Sequence, residues 1–183
     1  MSDLVKVEIV DRIQIITVNR PDARNAINYE TAHELAKAFD QLDDNDDVAI
    51  GILTGAGNTF SSGMDLKAFA HNGQRPLVEG RGFAGLCERP PRKPLIAAVE
   101  GYALAGGCEM ALACDMIVAA DNANFGLPEV KRGIVPGSGG MVRLPSRIPY
   151  HIAMEAVLTG EMLPAARAPV RTRQPPGPGG PGA

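Results

Sequence analysis

The 183-residue sequence has no tryptophan, and its five Phe and three Tyr leave it poor in side chains that stack on bases. Cationic excess is lacking too. Eighteen Lys and Arg face 21 Asp and Glu, for a net charge of −3, so nothing surplus is left to neutralise phosphates and nucleic acid is excluded as a partner. Cysteine is scarce. Cys87, Cys108 and Cys114 are odd in number and form no C-x-x-C pair, which excludes a disulfide framework. His33, His71 and His151 are scattered without the paired spacing of a zinc helix, so no metal site is expected. A long unbroken apolar run is missing as well: residues 95–120 are rich in Ala but interrupted by Glu100, Glu109 and Asp115. Each of those charges would cost roughly 3 kcal/mol in a bilayer, so no membrane association is expected. The opening MSDLVKVEIV lacks a basic segment followed by an apolar one, which predicts no secretory signal and a cytoplasmic protein. The glycine-rich stretch from Gly101 to Gly107 is not a G-x-G-x-x-G fingerprint and no G-x-x-x-x-G-K-[ST] occurs, which disfavours nucleotide binding through a Rossmann turn or a P-loop.

What is present alternates between strand and helix. Val5, Val7 and Ile9 alternate with polar residues, Asp11-Arg12 makes a turn, and Ile13, Ile15, Ile16 and Val18 continue a β-branched run. After Asn28, a plausible N-cap, Ala32, Leu35, Ala36, Phe39 and Leu42 recur at helical spacing. The acidic run from Asp43 to Asp47 reads as a solvated turn, since it lacks the ligand spacing and central Gly of a calcium loop. Residues 48–53 predict a buried strand, 55–75 a Gly-bearing loop, and 78–86 a weak helix closed by Pro90-Pro91. A strand at 95–99, a helix at 106–113 and a strand at 116–120 follow, with short helices after Gly137 and over 152–158. This alternation argues for an α/β fold with mainly parallel strands.

The chemistry-bearing residues are two glutamates and two glycine-rich turns. Glu109 falls in the first turns of an apolar helix, where desolvation raises a carboxyl pKa and the helix N-terminus lowers it. Glu129 follows Pro128 among apolar neighbours. Either alone reads as a structural acid. Together with the turns at Ser62-Gly63-Met64-Asp65 and Gly106-Gly107 they fit proton transfer around an enolate whose oxyanion is held by backbone N–H groups.

Four ordered motifs carry a resemblance to the enoyl-CoA hydratase/isomerase (crotonase) family. Arg20-Pro21 with Arg24-Asn25-Ala26-Ile27-Asn28 resembles its CoA-contact segment, and Phe60 through Leu66 its first oxyanion loop. Gly101 through Asp115 resembles the second, and Phe125 through Gly140 the segment with the second acid. The resemblance implies a crotonase (ClpP/crotonase-like) spiral of β-β-α units. It assigns the oxyanion N–H groups to Met64 and Gly106, water activation to Glu109 and α-carbon protonation to Glu129. It places Arg24, Ala26, Ser62, Asp65 and Leu66 against CoA. The implied activity is hydration of trans-2-enoyl-CoA to 3-hydroxyacyl-CoA in fatty acid β-oxidation. No metal or other cofactor is implied beyond the substrate's CoA, and the implied assembly is a homotrimer or hexamer. Alternatives are a crotonobetainyl-CoA hydratase, an enoyl-CoA isomerase, or a catalytically silent acyl-CoA-binding remnant.

The resemblance stops after about residue 168, where five Pro and four Gly fill the last fifteen positions. The expectation is a crotonase-like core at 1–168, a disordered tail at 169–183, and a C-terminal helical region largely missing through truncation or frameshift. Leu158 and Met162 should then be partly uncovered.

Overall fold

The computed structural model describes residues 3–167 and the pair 171–172. The expected tail lies outside these, apart from that pair. An antiparallel hairpin opens the chain, β1 (Val5–Val10) and β2 (Ile13–Val18), turned at Asp11 in the left-handed region. Helix α1 (Tyr29–Asp44) starts where Asn28 accepts a hydrogen bond from Thr31 N at 3.0 Å. Ala32, Leu35, Ala36, Phe39 and Leu42 are all buried, as their spacing predicts. The acidic run behind α1 is not wholly solvated: the Asp43 carboxylate accepts the N–H groups of Arg92 (2.8 Å) and Lys93 (3.1 Å).

The chain continues through β3 (Ile50–Gly55), α2 (Leu66–Asn72), β4 (Leu77–Val78), β5 (Gly82–Phe83), β6 (Leu95–Val99) and β7 (Tyr102–Leu104). Then come α3 (Gly106–Ala113), β8 (Met116–Ala119), β9 (Asn124–Gly126), a 3-10 turn at Pro128–Arg132, α4 (Gly140–Arg147) and α5 (Tyr150–Thr159). Short strands β10 (Leu163–Pro164) and β11 (Arg171–Thr172) close the list. The main sheet has the order β1-β2-β3-β6-β8-β11 and is parallel from β2 onward. A second sheet, β10-β9-β7, is laid down by the segments that leave β6 and β8.

Two segments depart from the sequence reading. Residues 78–86 form the β4–β5 hairpin and following turns instead of a helix, because Gly80, Gly82, Ala84 and Gly85 all adopt positive φ. The loop after residue 55 contains α2, which Asp65 caps by accepting a hydrogen bond from Ala68 N at 3.0 Å. Val7 and Ile9 pair with buried Ile16 and Gln14 yet remain exposed on the edge strand. Leu158 and Met162 are 65% and 48% exposed, in line with the expectation that they are uncovered, and Val135 and Val142 are exposed near them in sequence. Among the described residues no helix is long and apolar enough to cross a membrane.

Candidate active site

Parallel sheets deliver their loops to one edge, and here three strand ends feed one place. The loop after β3 is pinned first. Asn25, buried in the left-handed region, gives its side-chain N–H to the Ala56 and Thr59 carbonyls at 2.9 and 2.6 Å and accepts from Arg20 N. Ser61 Oγ donates to the Asn25 carbonyl at 2.8 Å, and Ser62 N to the Arg24 carbonyl at 3.1 Å. Ile27 and Met64 then form a parallel bridge, with Ile27 N on Gly63 O and Asp65 N on Ile27 O. That register points the Met64 N–H away from Ile27, and it donates to no acceptor among the described residues.

The segment after β6 meets this loop edge to edge. Phe60 N bonds Glu100 O, Ser61 N bonds Tyr102 O, and Leu104 N bonds Ser61 O. Gly106 follows as the first residue of α3, with no earlier helical turn to take its N–H. Gly63 is the close-approach point. Its φ is +91, and a Cβ built on it would lie 2.9 Å from Gly106 N. The Gly63–Met64 turn is thereby packed against the Gly106 N–H. Ala105, between β7 and α3, is held at φ 51, ψ −125, a sparsely populated conformation for a residue with a Cβ. A helix start with a free N–H beside a second free N–H is a receptor for negative charge on oxygen.

Glu109 lies in the first turn of α3, only 3% exposed. Its Oε1 accepts Ser138 N at 2.7 Å and Gly140 N at 2.9 Å, while Oε2 accepts nothing among the described residues. Burial raises its pKa, against the pull of the Gly140 and Ser138 N–H groups and the Arg143 charge. Glu129 arrives through β9, which pairs in parallel with β7 and leads into the 3-10 turn. It is 8% exposed and its Oε2 is buried without a partner. Burial, followed by the nearby Glu109 charge, pushes its pKa up to about 7. Two buried carboxyls, one clamped by backbone N–H groups and one about half protonated near neutral pH, have the chemistry to serve as a base and an acid. Among the described residues no three His, Cys, Asp or Glu side chains converge as metal ligands.

The five expected CoA-contact residues lie on two neighbouring segments, 24–26 and 62–66, joined by Ser62 N on the Arg24 carbonyl, with part of their chemistry already engaged. Asp65 pairs with Arg20 Nη2 at 2.9 Å while capping α2. Burial would raise its carboxyl, but the Ala68 and Arg20 bonds outweigh that and hold it low. Ala26 is buried, with its carbonyl on Arg20 Nη1, whereas Arg24 and Leu66 are exposed and Ser62 is half-buried. Sequence reasoning missed Arg20 as the link between the two segments, the Ser138 and Gly140 clamp, and Phe83, whose ring lies against Gly106. Only Arg20 carried a side-chain signal, an arginine and an aspartate in separate motifs.

The family model described as enoyl-CoA hydratase/isomerase matches residues 8–170. The chain is 50% identical over 157 residues to a carnitinyl-CoA dehydratase of Escherichia coli, covering 84% of this chain and 59% of that protein. The crystal structure of an enoyl-CoA hydratase from Mycobacterium marinum superposes with a TM-score of 0.87 at 60% identity, covering 91% of this chain and 65% of that one. For an enoyl-CoA hydratase from Mycobacterium tuberculosis the TM-score is 0.90 at 56% identity, covering 96% and 71%. The chain therefore spans about three fifths to seven tenths of the length of these relatives.

Proposed function

The chain belongs to the enoyl-CoA hydratase/isomerase family, and on that footing we propose that it hydrates trans-2-enoyl-CoA thioesters to 3-hydroxyacyl-CoA. One observation carries the reading: Glu109 and Glu129 are both buried, the first held at Oε1 by two backbone N–H groups and the second with a buried oxygen that has no partner, close to two unengaged N–H groups. The thioester oxygen would lie between Met64 N and Gly106 N. Each such donor is worth ~3 kcal/mol of barrier when charge moves onto that oxygen. Glu109 Oε2 would take a proton from water as the water oxygen bonds C3. The π electrons move toward the carbonyl, and protonated Glu129 delivers its proton to C2. One C–O and one C–H bond form, one π bond is lost, and a proton has passed from Glu129 to Glu109. Both carboxyls act on one side of the alkene, so the addition is syn.

Arg24, Ala26, Ser62, Asp65 and Leu66 would hold the CoA portion, with Asp65 acting through the order it gives Arg20 and α2. The chemistry draws on no cofactor beyond the CoA of the substrate. The setting proposed is cytoplasmic fatty acid breakdown. A homotrimer or hexamer is the proposed assembly, drawing on exposed Val135, Val142, Leu158 and Met162. A second reading is favoured by the Escherichia coli relative named a carnitinyl-CoA dehydratase: the same chemistry on crotonobetainyl-CoA. Adding the purified chain to crotonyl-CoA and to crotonobetainyl-CoA decides between them. Loss of enoyl-thioester absorbance with a product heavier by one water supports hydration. A product of unchanged mass identifies an isomerase, and no change with either substrate refutes the proposal.

A further inference from the structure

The Glu109 clamp consists of backbone, and backbone in a glycine-rich loop holds its place only if something holds the loop. Ser138 N and Gly140 N converge on Glu109 Oε1, with Gly139 between them at φ +99. A Cβ built on Gly139 would fall onto the Arg143 guanidinium, which occupies that space from one turn further along α4. Arg143 Nη1 donates to the Ser138 carbonyl at 3.0 Å, and Nη2 donates to the Cys87 carbonyl at 2.5 Å. The Ser138 residue is thus gripped from two sides, its N–H on Glu109 and its carbonyl on Arg143. The second carbonyl belongs to the turn following the β4–β5 hairpin, whose Phe83 lies against Gly106. One guanidinium therefore ties together the clamp on the base and the segment beside an oxyanion donor.

We propose that Arg143 is the positioning residue of Glu109, fixing the Ser138–Gly140 loop so that the carboxylate presents Oε2 to the cleft. A planar fork with five N–H donors can reach two carbonyls on different segments, which an ammonium on a single stem does poorly. Among the described residues Arg143 forms no ion pair within 4.0 Å. The charged and titratable groups around Glu109 are Arg143 from α4, Glu129 from the 3-10 turn, Cys87 after the hairpin and Cys108 beside it on α3. Burial pushes both thiols up to about 12, so they stay neutral. Arg143 is the cation in that group and draws the Glu109 pKa down against the effect of burial.

The catalytic part of this inference rests on the hydratase reading, so the test has an arm that does not. The full 183-residue chain, labelled with 13C at glutamate carboxyls, is titrated by NMR as wild type, Arg143→Gln and Arg143→Lys, with Glu109→Gln assigning the signal. Arg143→Gln should move the Glu109 titration to higher pH, whereas Arg143→Lys should leave it near wild type. With crotonyl-CoA, kcat of Arg143→Gln should fall about 10-fold or more, as for a misplaced catalytic group, with a much smaller change in KM. Its acid limb should shift upward in step with the NMR titration. Arg143→Lys should keep the limb and recover only part of kcat. An unmoved Glu109 titration in Arg143→Gln would overturn the inference, as would wild-type kcat in the folded variant. Should Arg143→Gln fail to fold, wild-type kcat in Arg143→Lys overturns the two-carbonyl role. A wild-type chain that hydrates nothing removes the hydratase reading, and the titration still decides the inference.

Discussion

Replacing Glu129 with glutamine separates the two consequences of its burial. The wild-type carboxyl has an oxygen with no partner and a pKa raised from 4.5 to about 7 by desolvation and by the Glu109 charge. A folded-state pKa above the unfolded value means that the folded protein binds the proton more tightly. Its contribution to stability is full below pH 4.5 and is lost as pH rises through about 7. At about 1.4 kcal/mol per pH unit, the interval between those values corresponds to about 3 kcal/mol. Screening by water in the cleft reduces it to roughly 1–2 kcal/mol. Glu129→Gln never ionises, so at pH 8.5 it should be more stable than wild type by that amount, or roughly 2–8 °C in melting temperature. Near pH 4.5 the difference should vanish. Hydration should fall by roughly 10²–10⁴-fold, because the proton donor to C2 is gone. The assay is thermal unfolding at both pH values with crotonyl-CoA turnover on the same samples. Equal stability at both pH values would refute the raised pKa, and full turnover would refute the assigned role.

Gly63→Ala sets a Cβ at φ +91 and 2.9 Å from Gly106 N, so it should cost at least ~2 kcal/mol in urea unfolding and displace an oxyanion donor; unchanged stability and kcat would contradict that close approach. Ala105→Gly should be neutral or stabilising, because relief of strain on the order of 1–3 kcal/mol offsets the ~1 kcal/mol entropic cost of glycine. A fall in the unfolding midpoint equivalent to more than about 1 kcal/mol would show that the φ 51 conformation is unstrained. Gln14 bonds the Ala38 carbonyl at 2.8 Å but leaves its buried Oε1 without a partner; Gln14→Met should therefore gain about 1 kcal/mol in the same assay, and a loss would mean the oxygen is satisfied.

Long-period patterns made much of the fold legible in the sequence. Helix α1 follows from one apolar stripe and an Asn cap, and α3 from glycines opening an apolar run. The alternation of strands gave the parallel sheet. Residues 78–86 misled because their apolar content suggests a helix, whereas four left-handed choices within six residues, at Gly80, Gly82, Ala84 and Gly85, depend on packing that no local pattern encodes. The second sheet was missed because β7, β9 and β10 have two or three residues each and are fixed by long-range pairing. In the candidate site, both glutamates and both glycine turns were readable as residue types at ordered positions. The clamp on Glu109 was not, since Ser138 and Gly140 act through N–H groups that every residue but proline has. Arg143 carries no sequence signal that sets it apart in the short helix after Gly137, and only the fold lays its guanidinium over Gly139.

The central claim is that Glu109 and Glu129 add water across an enoyl-CoA double bond, one to each carbon. Incubating the 183-residue chain with crotonyl-CoA in D2O, and reading the product by mass spectrometry and NMR, tests it most directly. The account predicts 3-hydroxybutyryl-CoA with oxygen on C3 and one deuterium on C2, placed by syn addition. It also predicts that Glu109→Gln and Glu129→Gln each suppress formation of that product. Release of free CoA, a shifted double bond without added water, or no reaction of the folded chain would contradict it.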